Sequence, residues 1–98
     1  MNKREQLYWL LHLYKIRECD VVTFCKAFEG VFYPDQPQTE MSSEEFSIFR
    51  QLAEVIVRFT PFIEDKQLYP DVYKNDKEVI GAITVAIEKL QKVLNEKI

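Results

Sequence analysis

The sequence predicts an all-α protein, an antiparallel four-helix bundle, and three observations carry that expectation. Apolar residues recur at helical spacing in four stretches, polar or proline-bearing segments part those stretches, and capping residues stand where the later ones begin. At 98 residues, 47% of them hydrophobic, the chain can close one core and is too short for two, so residues 1–98 are read as a single domain.

The first helix is written by Leu7, Leu10, Leu11 and Tyr14 at i, i+3, i+4 and i+7, with Leu13 widening the stripe. Only a few residues around Arg17, Glu18 and Cys19 follow it, which forces the next helix to double back. In that second helix Val21, Phe24, Cys25, Phe28, Val31 and Phe32 fill the helical template, and Asp20 is placed to cap it. Pro34 and Pro37 then stop the helix, so the stretch to Met41 is expected as an exposed, acidic loop.

Ser42 with Glu45 three residues on has the form of a capping box, and the third helix aligns Phe46, Phe49, Leu52, Ala53, Ile56 and Phe59. Pro61 ends it, because proline lacks an amide proton and drives Thr60 out of the helical region. Asn75 with Glu78 repeats the capping pattern before a fourth helix, whose stripe reads Ile80, Ile83, Ile87, Leu90 and Leu94. The phenylalanines of helices two and three, at this spacing, are core residues and not a ligand pocket.

Composition narrows the function. The net charge of −3 divides into +3 over residues 1–17, −6 over 18–54 and zero over 55–98. The run from Asp35 through Glu40, Glu44 and Glu45 holds no cation; it repels nucleic-acid phosphates and attracts a basic partner. Two glycines cannot build a phosphate-cradling loop, and the single His12 rules out a multi-histidine metal site or a Cys-His pair. His12 reads as a half-exposed helix residue, and no cofactor is expected. Cys19 and Cys25 match no redox or metal-ligand spacing and are expected as reduced thiols, Cys25 in the core. Lys15 and Arg17 spoil any signal-peptide reading of the apolar N-terminal run, and no stretch approaches the roughly 20 apolar residues that span a bilayer. The expectation is a cytoplasmic protein that does not enter membranes.

The stretch after the third helix carries the functional signal. Glu54, Glu64, Asp65, Asp71 and Asp76 are interleaved there with Phe62, Tyr69 and Tyr73, next to Arg58 and two prolines. Aromatic anchors ringed by charge are the arrangement in which a few residues supply most of a binding energy. These nine residues, Arg58 included, are the candidate partner-binding set.

The aromatic second helix, the Ser-Glu-Glu start of the third, its end in Arg58-Phe59-Thr60-Pro61, the acids beyond and Tyr73-Lys74-Asn75-Asp76 resemble the colicin D-type immunity proteins, also called self-protective colicin-like immunity proteins. The likeness runs from about Leu10 to Leu90. It implies a four-helix bundle that inhibits the nuclease domain of a cognate bacterial toxin, tRNA-cleaving in the colicin D case, by offering carboxylates where the substrate offers phosphates. It further implies no catalysis and a monomer when free that becomes a 1:1 heterodimer with the basic toxin domain. The modest charge and the length of the Pro34–Met41 loop depart from the family's pattern.

Two other readings compete. A small enzyme for an anionic metabolite would need Arg17, Arg50 and Arg58 turned inward, and none lies on an apolar stripe. An adaptor or homodimeric module without a toxin target would use Trp9 and Tyr8 as its docking face.

Overall fold

A computed structural model of the chain describes residues 2–33, 38–59, 67–68 and 74–95. Among the described residues four α-helices have defined bounds: α1 (Lys3–Lys15), α2 (Val21–Phe32), α3 (Ser43–Ile56) and α4 (Asp76–Leu94), with a short 3-10 helix at Gln38–Glu40. Among the described residues there is no strand, only an isolated bridge between Phe59 and Lys74. The all-α bundle expected from the sequence is the fold found. α1 lies against α2, α3 lies along α4, and α2 joins the two hairpins by touching both α3 and α4.

Each helix starts where local chemistry satisfies its free amides. The Asn2 carboxamide accepts from Glu5 N–H at 2.8 Å, the Asp20 carboxylate from Thr23 N–H at 2.7 Å, and the Asn75 carboxamide from Glu78 N–H at 3.0 Å. At α3 the capping box is complete: Ser42 Oγ accepts from Glu45 N–H and Glu45 Oε1 from Ser42 N–H. α1 ends in a Schellman turn, with Arg17 N–H on the Tyr14 carbonyl and Glu18 N–H on that of Leu13. That turn holds Arg17 at φ 64°, a left-handed position that usually falls to glycine.

The core is aromatic. Phe24, Phe28, Phe32 and Phe49 are fully buried, and burial of such a side chain stabilises by about 1.5–3 kcal/mol. Their rings run in a chain: Tyr14 to Phe24 at 5.4 Å, Phe24 to Phe28 at 5.9 Å, Phe28 to Phe32 at 5.6 Å and Phe32 to Phe46 at 6.0 Å between centroids. Leu7 and Leu11 close it from α1, and Cys25 is buried beside it as a free thiol.

One expected boundary and one expected face move. α3 stops at Ile56, not at Phe59, and the chain tightens as Arg58 N–H reaches Val55 and Phe59 N–H reaches Ile56. On α4 the buried face is Val79, Ile83, Ala86 and Leu90; Ile80 is 40% exposed and Ile87 is only partly buried. The two candidate stripes share Ile83 and Leu90 and otherwise differ by one position, or about 100° of rotation. The stripe containing Ala86 is the one turned inward.

Candidate functional site

The predicted binding set falls largely where α3 gives way to α4. Its members Phe62, Glu64, Asp65, Tyr69, Asp71 and Tyr73 lie outside the described residues. Glu54, Arg58 and Asp76 are described, and all three are exposed. Glu54 sits 4.0 Å from Arg50 in a pairing open to solvent, which leaves its carboxylate available at little energetic cost. Asp76 opens α4, where the helix dipole favours its charge.

The frame of this site is backbone. Lys74 N–H donates to the Arg58 carbonyl at 2.6 Å, beside the Phe59–Lys74 bridge. The residues on either side of the 60–73 segment are thereby pinned together, and Lys74 is further held by Glu78, whose carboxylate lies 3.4 Å from its ammonium. Arg58, Lys74 and Asp76 are therefore neighbours on one rigid rim, as α3 and α4 converge there.

Two further residues mark the same connection. Leu68 is 71% exposed and Val57 57%, more than any other large hydrophobic side chain among the described residues. Val57 was legible in the sequence, since it falls off the stripe that holds Ile56; Leu68 has no periodic context to place it. Neither was in the predicted set.

In the acidic stretch leading into α3, Glu45 takes the capping-box role that its spacing from Ser42 predicts, and more. Glu45 is buried and accepts the Tyr8 hydroxyl at 2.5 Å and Arg4 Nε at 3.2 Å, with Arg4 NH2 at 3.0 Å. Arg4 also stands 5.0 Å over the Tyr8 ring. Glu40 accepts from Lys3 N–H. Two acids of the cation-free run are thus engaged within the chain, Glu45 by Arg4 and Tyr8 and Glu40 by the Lys3 backbone amide. Desolvation pushes the Glu45 carboxyl up, but the Tyr8 hydroxyl, the Ser42 amide and Arg4 outweigh it and hold it below its ordinary value. Burial and the adjacent Glu45 carboxylate push the Tyr8 phenol well up.

The competing readings change too. Tyr8 is half-buried, packs edge-on against Phe49 at 5.4 Å and gives its hydroxyl to Glu45. Trp9 is 48% exposed and stacks on His12. Arg50 and Arg58 point to solvent, not into a shared pocket. Arg17 does line a cleft of about 580 Å³ between the α1–α2 corner and α4, together with Tyr14, Lys15, Val21, Ile87 and Gln91. Burial pushes the Cys25 thiol up to about 12, away from nucleophilic form. Among the described residues no group of three or more His, Cys, Asp or Glu is placed to hold a metal, and no helix is long and apolar enough to cross a membrane.

Fold and site together define a small four-helix bundle in which exposed charges, Glu54, Arg58 and Asp76, flank the connection between the last two helices. No family model, no curated protein and no solved structure matches the chain.

Proposed function

We propose that this chain is a small helical interaction module, acting by binding and not by catalysis, which engages a protein partner through the α3–α4 connection. The exposure of Leu68 and Val57, in the stretch of chain that Glu54, Arg58 and Asp76 bound, carries the reading. Loops carry recognition when a rigid scaffold fixes their ends, and the Lys74–Arg58 hydrogen bond is such a fixture. Apolar contacts would supply desolvated area, and the surrounding charges would set register and encounter rate.

A sharper form names the partner as the basic nuclease domain of a bacterial toxin, with the chain as a cytoplasmic, stoichiometric inhibitor. The resemblance to colicin D-type immunity proteins motivates it, and exposed Glu54 and Asp76 suit a basic target.

The test is capture from lysate of the source strain in moderate salt, run in parallel with the wild-type chain and Leu68→Asp. Equimolar recovery of one protein by the wild type alone supports the module; nuclease activity in that protein, blocked by the wild type, supports the toxin form. Equal recovery by both chains overturns the proposed face.

A further inference from the structure

The outer groove between α3 and α4 has an apolar floor, made by Ile48, Leu52 and Val55 from α3 and by Ala82, Val85 and Ala86 from α4. Val85 is 47% exposed, and the space above Gly81 is open. The groove runs on into a depression where Glu44 of α3 lies near Lys92 and Val93 of α4. Positions 78, 82, 85, 89 and 92 of α4 are separated by alternate steps of four and three, the spacing with which one helix meets another along its length. The ends of that stripe are oppositely charged: Glu78, whose carboxylate also lies 3.4 Å from Lys74, stands at one, and Lys92, with Lys89 one turn before it at the groove's edge, at the other.

This order of charges selects an occupant. A second α4 laid parallel would set Glu78 against Glu78 and Lys92 against Lys92, which is repulsive at both ends. A two-fold rotation about an axis near Val85 sets Glu78 of each copy opposite Lys92 of the other. We infer that the α3–α4 face is a self-complementary surface that takes a second copy of this chain, antiparallel, with the two-fold passing near Val85.

The size of the face sets the strength. A 19-residue helix is about 28 Å long. Two helices side by side then offer roughly 1,100 Å² of total buried surface, at the low end for a specific interface. The dimer is therefore weak and concentration-dependent. It uses a face other than the α3–α4 connection and meets it only at Glu78, the partner of Lys74.

Sedimentation velocity over a concentration series tests it. The wild type is expected to dimerise and Val85→Asp to remain monomeric, while Lys92→Glu and Glu78→Lys should each weaken self-association by about tenfold. Mixing those two single variants should restore a heterodimer, since each then meets opposite charge at both ends; circular dichroism confirms that each variant is folded. A wild type still monomeric at roughly millimolar concentration in low salt overturns the inference. So does a dimer indifferent to Val85→Asp, or two charge variants that fail to associate when mixed.

Discussion

The Tyr8 hydroxyl donates to Glu45 across 37 positions of sequence, and together with the Arg4–Glu45 ion pair this contact joins the N-terminal half of α1 to the first turn of α3. Glu45 is at the same time the third residue of a capping box and the ion-pair partner of Arg4. A carboxylate with only 7% of its side chain exposed is stable there because Tyr8, Arg4 and the Ser42 amide all donate to it.

Removing that carboxylate should be costly. Glu45→Ala leaves Arg4 and Tyr8 without their acceptor and undoes half of the capping box, for an expected loss of about 3 kcal/mol in urea unfolding. Tyr8→Phe should cost about 1 kcal/mol alone and much less in the Glu45→Ala background, so a double-mutant cycle will show coupling.

Acid should find the same contact. The folded carboxyl of Glu45 titrates below its ordinary value of 4.5, so its contribution is present above that value and is lost as pH falls through the lower folded one. Asp20, held low by the Thr23 amide, acts in the same direction. Thermal unfolding from pH 7 down to pH 3 should show a falling Tm, and the fall should be shallower in Glu45→Gln.

Arg17 occupies a left-handed position at the end of α1 where a side chain is strained. Arg17→Gly should stabilise the fold by about 0.5–1 kcal/mol. Gly30, in α2 with open space around its missing Cβ, predicts a gain of similar size, about 0.5–1 kcal/mol, for Gly30→Ala. Both are read from the midpoint of chemical denaturation.

Charge reversal at the proposed binding end should separate binding from stability. Glu54→Lys removes only an exposed pairing with Arg50, so stability should change by less than about 0.5 kcal/mol. Partner retention in moderate salt should fall if Glu54 faces a basic surface. Unchanged retention in Glu54→Lys combined with Asp76→Lys would place the contact elsewhere.

How far the sequence could be read depended on how local each feature is. Asp20, Ser42 and Asn75 declared three helix starts, because a cap involves a side chain and an amide a few residues away. The aromatic positions of α2 and α3 declared the core, because a helical period is a local property. Exposed Val57 was open to the same reasoning. The face of α4 was not fully legible, since neighbouring stripes are almost equally apolar and only packing against α2 and α3 decides between them.

By itself, then, the sequence determined four helices, the capping of three of them and an aromatic core. Tertiary structure decided that Val79 and Ala86 face inward while Ile80 does not. It also decided that Glu40 and Glu45 are engaged within the chain, by the Lys3 backbone amide and by Arg4 and Tyr8. The physical reason is the same in each case: period and capping act within a few residues, whereas the partner of a charge or an apolar face depends on which helix is packed beside it.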